Sequence, residues 1–497
     1  MDVPREIELK LAVAAKDLPR LRRRLSRFGA PQVKTLENIY YDTKDFALAG
    51  HGMALRVRRI GRRWLQTLKT DNTATALSRR GEWEMPAPRG RLDVARFAGT
   101  PLDALLRKRP ALKIGPRFQT RFERTLWTTR EGAIEIALDE GEISAADRAA
   151  PIRELELELK AGDRAALWKL ALDLVGPGAA AIALLPFGES KAARGVRLAL
   201  NESVKPEKAS AKAFTSSLRP STTAGAALHS IIATGAGILL ANVHGMRASD
   251  DPEFIHQARV AVRRMRSTVR LFRGEVEFPP GLDAELRWAG RALGRARDWD
   301  VFVLHTVPAY LDGLSDPDPS LERAARLRLR ARDDAGAALD SARFAVLALQ
   351  LLRWSDGPPN DGSPTLRSLV ARLMPRAHRK LFTAAQRFEH LDQRRRHRVR
   401  ILVKRLRYAL DLMGCCMPKK RADPYARTLA QLQDELGALN DIVVGREFIA
   451  ECESAAGALA EMRRRLRGAE REHIRAADRL ARSLARAAPP WAIARSD

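Results

Sequence analysis

The chain has 497 residues, 45% of them apolar, and a formal net charge of +28. That length suggests two or three domains with their own cores, and the apolar share excludes a wholly disordered chain. No run of about 18 or more apolar residues is read, so no membrane span is expected, and the charged start MDVPREIELK lacks the apolar stretch of a secretory signal.

Residues 1–200 alternate apolar and charged positions in short runs: EIELKLAV, MALRVRRI, RWLQTLKT, TRFERTLW, AIEIALD and RELELELK. Period two predicts strands, and helical patterns cover 15–29 and 163–175. Residues 201–222 are rich in Ser, Lys and Pro and read as a linker. Residues 223–490 read as helical almost throughout, and SDGPPNDGSP at 355–364 divides them into halves at about 223–354 and 365–490. HQARVAVRRMR (256–266) and HRVRILVKRLR (397–407) repeat at identical spacing, as do LGRARD (293–298) and LGALND (436–441), which predicts a duplicated unit. Residues 221–497 hold 43 Arg and 4 Lys. Arg's planar fork matches phosphate oxygens bidentately, where Lys acts as a point charge. Cys415, Cys416 and Cys452 give neither a disulfide framework nor a zinc spacing, and the expected compartment is a reducing cytoplasm.

In the first part, Glu6, Glu8 and Lys10 share one strand face, as do Glu154, Glu156, Glu158 and Lys160. Arg56 and Arg58, Lys69, Arg80 with Glu82 and Glu84, Arg124, Glu135 and Asp139 follow the same alternation. A half-solvated sheet would show charges outward in this way. A closed barrel with the charged faces turned inward is the alternative. Clustered carboxylates then need a cation, and oxygen-rich clusters suit Mg²⁺ or Mn²⁺.

EIELK (6–10), YYDT (40–43), ALRVR (54–58), LKT (68–70), LDEGEI (138–143), ELELELK (154–160) and SKAARG (190–195) together resemble the CYTH superfamily, the triphosphate tunnel metalloenzymes. The resemblance implies an eight-stranded antiparallel barrel with a divalent metal and a triphosphate inside. It assigns metal binding to Glu6, Glu8, Glu156 and Glu158, with Glu154 and Asp139 as companions. It assigns phosphate contacts to Lys10, Arg56, Arg58, Lys69 and Lys191, with Arg124 and Arg194 added; Arg121 competes with Arg124 for its register. Tyr40 and Lys69 match a tyrosine–lysine pair that serves as base in thiamine-triphosphatase-like members, and packing beside the barrel is the equal alternative for Tyr40.

In the second part, His256, Arg259, Arg263, Arg266 and Arg270 fall within an arc of about 80° on a helix, and His397, Arg400, Lys404 and Arg407 repeat it. A solvated face of an amphipathic helix looks the same, but few acids balance this one and it occurs twice. HQARVAVRRMRSTVRLF (256–272), LGRARDWDV (293–301), HRVRILVKRLRYALDL (397–412) and LQDELGALND (432–441) resemble the CHAD domain, a histidine-containing helical module. That resemblance implies two pseudo-symmetric bundles around a basic pore for inorganic polyphosphate. It brings in His256, Arg259, Arg263, Arg264, Arg266, His397, Arg400, Lys404, Arg405 and Arg407. Asn440 stands where the first copy has Arg297, and Asp298 and Asp441 are candidate anchors for arginines.

The expected molecule is therefore an α+β multidomain protein, a triphosphate-tunnel barrel followed by an all-α, internally duplicated bundle. Two functions compete. One is a Mg²⁺- or Mn²⁺-dependent inorganic triphosphatase whose helical part gathers polyphosphate or seeks polyphosphate granules. The other is a polyphosphate-binding scaffold with a weak barrel. Thiamine triphosphate and ATP are further substrate options. Nucleic acid is disfavoured because the basic stripes carry few aromatics for base stacking.

Overall fold

The structure, a computed structural model, describes residues 5–70, 77–129, 132–311, 319–359, 362–452 and 458–491. The chain divides into two compact units, Met1–Lys205 with Asp340–Arg353, and Pro206–Leu339 with Trp354–Asp497.

The first unit is built on β1 (Arg5–Ala12), β2 (Gln32–Asp42), β3 (Met53–Ile60), β4 (Arg63–Thr70), β5 (Leu77–Pro86), β6 (Gly115–Thr128), β7 (Ile134–Ala145) and β8 (Arg148–Leu159). All neighbours are antiparallel in the order β5-β4-β3-β2-β6-β7-β8-β1, and β1 pairs back onto β5, closing a ring of eight. A ninth strand, β9 (Leu185–Pro186), adds two residues to β1 beside that closure. Its helices are α1 (Leu18–Leu25), α2 (Ala47–Gly50), α3 (Pro101–Lys108), α4 (Ala165–Val175) and α5 (Lys191–Leu200). The helical pattern read at 15–29 is α1 flanked by two 3₁₀ turns.

Period-two sequence gives each strand two different faces. The outward face is apolar: Leu55 and Leu68 cluster with Leu48 of α2 and with Leu102 and Leu105 of α3. The inward face changes along the barrel axis. Leu36, Phe118, Phe122, Ile143 and Ile152 fill one end of the interior, where Ala192, Val196 and Ala199 of α5 pack against them. Beyond this plug the inward residues are charged.

The second unit contains α6 (Ala211–Thr215), α7 (Ala224–Met246), α8 (Pro252–Leu271), α9 (Pro280–Val301), α10 (Val307–Tyr310), α11 (Pro319–Leu339), α12 (Ala342–Asp356, whose first part groups with the barrel), α13 (Leu366–Ala385), α14 (Gln393–Met413), α15 (Lys419–Glu451) and α16 (Ala458–Arg486). Among the described residues α7 alone is by itself long and apolar enough to cross a membrane, which the reading of the sequence did not register. It is a core helix here, with 61% of its most apolar window buried. The stretch read as a linker divides at Lys205: residues from Pro206 onward pack on the helical unit, with Ala209, Phe214 and Leu218 buried.

The two halves begin in the same way and meet there. Thr223 caps α7 and Thr365 caps α13, each accepting a backbone N–H three residues on. Thr223 and Thr365 pair across an antiparallel bridge: Ala224 N–H donates to Pro364 O at 2.9 Å, and Leu366 N–H donates to Thr222 O at 2.8 Å. Further along, the equivalent helices α9 and α15 lock together unequally. Trp299 stacks flat on Phe448 at 3.9 Å between centroids, and the Phe302 ring lies 3.7 Å from where a Cβ on Gly445 would be. Truncating this stack in Phe448→Ala should cost about 3–5 kcal/mol through the cavity it leaves. Chemical denaturation of the full chain should show the helical unit unfolding at lower denaturant, with hydrolysis by native protein unchanged.

Candidate functional site

Register explains the polar interior. In the closed ring β3 lies diametrically across from β8, so Arg56 and Arg58 stand across the cavity from Glu156 and Glu158. Between neighbours, Glu158 stands opposite Glu8 on β1 and Glu135 on β7, giving a row of three carboxylates. One row deeper, Glu156 stands opposite Lys10, and below that Glu154 stands opposite Asp139, which in turn faces Arg124 on β6. Like charges side by side are destabilising unless something neutralises them.

The neutralising groups are present. Lys10 Nζ lies 3.2 Å from Glu8 and hydrogen-bonds Glu156. Arg124 donates from Nε and Nη2 to both oxygens of Asp139 at 2.7 Å and also reaches Glu156. Lys191, the first residue of α5, reaches Asp139 at 2.7 Å, Glu156 at 3.0 Å and also Glu154. Burial would raise the Glu156 carboxyl, but Lys10, Lys191 and Arg124 together hold it well below the usual range. Glu135, Glu158 and Lys160 edge the cavity, and Lys160 bonds Glu158 at 2.6 Å.

The opposite wall is basic and less compensated. Lys69 bonds Glu82 at 3.2 Å and Arg58 Nε donates to Asn38 at 2.8 Å. Burial, with Arg56 and Arg124 nearby, pushes Arg58 down to about 9. Such a guanidinium gains from an arriving anion. Tyr40 stacks on Phe118 at 4.5 Å. Burial opposes ionisation of its phenol, yet Arg56, Arg58 and Lys191 outweigh it and the net shift is downward. Between the walls lies a cavity of about 250 Å³, bounded by β-strand side chains and by Ser190 and Lys191 at the start of α5.

Of the residues expected from sequence, Glu8, Lys10, Tyr40, Arg56, Arg58, Lys69, Arg124, Glu156, Glu158 and Lys191 line this one cavity. Asp139 and Glu154 lie behind its wall, 0% and 1% exposed. Arg194 braces Glu154 at 3.2 Å and the Pro151 carbonyl, and is not among the lining residues. The register of β6 decides between two arginines: Arg124 points inward, while Arg121 is exposed beside Glu37. The Glu6 side chain lies outside the described residues; its backbone pairs with Arg80. Glu82, Glu135, Lys160 and Ser190 line the cavity without having been chosen. The first three were visible as alternating charges, and Ser190 only as the cap of α5.

Asp139, Glu154 and Glu156 each bring an oxygen within 4.8 Å of the other two. This all-oxygen set suits a hard divalent cation, and the Lys191 ammonium stands among the three. The Glu8–Glu158–Glu135 row is a second, cavity-facing set of the same donors.

In the helical unit, α8 and α14 bring Arg259, Arg263, Arg400 and Lys404 together. Arg259 is held by Asp298 at 3.0 Å, Arg400 by Asn440 at 2.6 Å, and Arg263 by the Tyr408 hydroxyl. Burial, with Arg400, Arg263 and Arg259 nearby, lowers Lys404 to about 6. Burial and Arg297 lower His256 to about 4, and burial with Arg400 and Lys404 lowers the exposed His397. Other members of the expected set point elsewhere. Arg264 bonds Asp411 at 3.1 Å and the Ala209 carbonyl, and Arg266 bonds Asp283 at 3.1 Å. Arg405 shares a separate hollow with Arg270, Arg273 and Arg287. Arg407 is half-buried.

The barrel and the duplicated bundle each define a class. The CYTH domain model matches residues 4–177 and the CHAD domain model matches residues 230–450, so the chain carries a CYTH domain followed by a CHAD domain. Over 169 residues it is 34% identical to the inorganic triphosphatase of Haemophilus influenzae, a match spanning 32% of this chain and 46% of that protein. Among solved structures, the CHAD domain from the plant Ricinus communis is 31% identical, covering 55% of this chain and 96% of its own, at a TM-score of 0.47. PptA from Streptomyces chartreusis is 20% identical, covering 53% and 99%, at 0.42. HpAC1 from Hippeastrum, described as having a dominant triphosphatase activity, is 18% identical, covering 40% and 96%, at 0.31.

The SKAARG stretch has a steric role as well as a charged one. A Cβ on Gly195 would lie 2.0 Å from a ring carbon of Phe118, the ring that stacks on Tyr40. Gly195→Ala should therefore push α5 and Lys191 off the barrel end, lowering stability by about 1–3 kcal/mol and reducing turnover. Gly237→Ala on α7, where nothing lies within 4 Å, should leave turnover unchanged and raise stability by about 0.5–1 kcal/mol, the helix-interior preference for Ala over Gly. Thermal unfolding and phosphate release on the two variants check this.

Proposed function

We propose that the barrel is a divalent-metal-dependent hydrolase of inorganic triphosphate and that the α8–α14 stripe of the helical unit holds inorganic polyphosphate. The observation that carries the first part is the division of one small cavity into an acidic wall on β1, β7 and β8 and a basic wall on β3 and β4. Arg56, Arg58 and Lys69 bind phosphate oxygens by charge-assisted hydrogen bonds and stabilise charge that develops in the transition state. Glu8, Glu156 and Glu158, with Glu135, are the residues that would hold Mg²⁺ or Mn²⁺. Such an ion, when bound, neutralises phosphate charge and lowers the pKa of a water. Burial opposes ionisation of Tyr40, and Arg56, Arg58 and Lys191 favour it; as the phenolate it accepts a proton from the attacking water and becomes the phenol. Lys10, Arg124 and Lys191 keep the acidic wall in place. A larger triphosphate, such as thiamine triphosphate or ATP, is a second reading. It draws on an adjoining hollow of about 410 Å³, lined by Tyr41, Phe46 and Val196, that shares Tyr40, Ala54 and Ala192 with the cavity. The expected setting is cytoplasmic, in keeping with three free cysteines.

Phosphate release from triphosphate, thiamine triphosphate, ATP and long-chain polyphosphate, each with Mg²⁺, Mn²⁺ or chelator, tests the barrel. Triphosphate should turn over only with metal. Glu8→Gln and Glu158→Gln should each lower kcat at least a hundredfold. Metal-independent turnover would overturn the metal assignment, and absent turnover with polyphosphate binding retained would leave a binding scaffold.

The helical stripe has a pH signature. Lys404, at about 6, is mostly neutral at pH 7.5 when empty, and a phosphate chain raises its proton affinity. Binding should take up protons at pH 7.5, and affinity should rise as pH falls toward 6. Calorimetry in buffers of different ionisation enthalpy reads the uptake, and Lys404→Gln should reduce it.

A further inference from the structure

A second basic groove lies in the second repeat, away from the α8–α14 stripe. It has a volume of about 1570 Å³ and runs between the C-terminal part of α13, the turn at 386–391, the first turns of α14 and the end of α16. Eight of its lining side chains are Arg or Lys. Its one acid, Asp478, is 3% exposed and taken by Arg482 at 2.6 Å. Arg372 is engaged by Glu275 and Arg395 by Asp392. Arg376, Arg379, Lys380, Arg387 and Arg398 have no acidic partner among the described residues. Arg387 sits at φ 51, a left-handed conformation better suited to Gly or Asn, so the backbone is strained at the groove. On α14, Arg398 lies about 160° around the helix from Arg400, so the groove and the stripe use opposite faces of one helix.

The repeat shows that these charges are not required by the fold. Counting from the capping threonines, Arg372, Arg376 and Arg379 correspond to Ser230, Thr234 and Gly237 of α7. Counting from His256 and His397, Arg395 and Arg398 correspond to Phe254 and Gln257 of α8. In the first repeat the matching surface is covered by the chain itself. Glu207 O accepts from Asn242, Lys208 bonds Glu253 at 2.8 Å, and Ala209 N–H donates to Gln257 at 2.7 Å. An extended segment thus lies on one repeat where the other leaves an open channel lined with arginine.

We propose that this groove binds a linear inorganic polyphosphate chain, a second site on the face opposite the stripe; its ligand assignment rests on the polyphosphate reading of the helical unit. Free guanidinium forks match closely spaced phosphate oxygens. Phe382 is the sole aromatic ring of the lining apart from the imidazole of His390, too little for base stacking along RNA.

The test uses the full chain and a fluorescent polyphosphate of defined length. Wild type, the stripe variant Arg263→Gln/Lys404→Gln and the groove variant Arg376→Gln/Arg379→Gln/Arg398→Gln are titrated over a salt series. Single-stranded RNA and polyglutamate of equal charge serve as competitors. The three groove arginines are exposed, and equal thermal unfolding verifies that the variants fold. We expect the stripe variant to keep one binding event and the groove variant to lose that event at least tenfold. The total salt slope should fall by about two to three when three phosphate-contacting cations are removed. Amide exchange at 386–391 should slow when polyphosphate binds. A groove variant that titrates like wild type, or unchanged exchange at 386–391, overturns the proposal while leaving the stripe reading intact. Loss of all binding in the stripe variant does the same. Binding lost only in the groove variant supports this site and removes the stripe. RNA or polyglutamate outcompeting polyphosphate at the groove overturns the ligand assignment.

Discussion

The first unit depends on the neutralisation of a buried carboxylate cluster by cations from outside its own strands. β7 and β8 set Asp139, Glu154 and Glu156 side by side, and burying three carboxylates together is costly unless cations balance them. Lys10 comes from β1, Arg124 from β6 and Lys191 from α5, so the charge balance is complete only when distant parts of the chain meet. The same closure places Arg56 and Arg58 across the cavity. Because Lys191 also begins the helix that plugs the apolar end, packing of the plug and electrostatics of the wall are one constraint. The Gly195–Phe118–Tyr40 contact ties the phenol to that same helix.

Much of this was legible in the sequence because strand alternation fixes which residues share a face. Alternation puts Glu8 with Lys10, Arg56 with Arg58 and Glu156 with Glu158 on shared faces, and the CYTH resemblance is what implied that these faces turn inward. Depth along the barrel was not legible. Asp139 and Glu154 share the inward face with Glu156, yet they sit a row deeper and face Lys191 and Arg194, a difference that depends on register between strands distant in sequence. Arg121 and Arg124 differ by odd parity, and only pairing with β7 decides between them. The helical stripe was legible as an arc on one helix. Periodicity could not say that Arg266 is drawn to Asp283, or that Arg405 joins a separate hollow, because those partners come from other helices. The polar composition of 201–222 gave no sign that its second half packs on α7 and α8; that packing relies on backbone groups meeting Asn242 and Gln257.

The two units treat excess charge in opposite ways. In the barrel, acids and bases are interleaved until nearly every buried group has a partner. On the α8–α14 stripe of the helical unit, cations are gathered with few acids: Asp298 holds Arg259, the neutral amide of Asn440 holds Arg400, and burial among these arginines draws Lys404 down. The first arrangement defines a small enclosed volume with opposed walls, suited to chemistry on a short anion. The second leaves open surfaces that gain energy from any long anion laid across them, suited to holding.

The bridge between Thr223 and Thr365 is an isologous contact: the same residue of each repeat meets its own counterpart, as in a twofold dimer of a single repeat. In a dimer of identical chains every substitution would appear on both sides of the axis. Joining the halves in one polypeptide removes that restriction. Asn440 can replace Arg297, Asp411 can replace Arg270, and one repeat can cover a surface that the other leaves open and basic, while the twofold junction at their starts is kept.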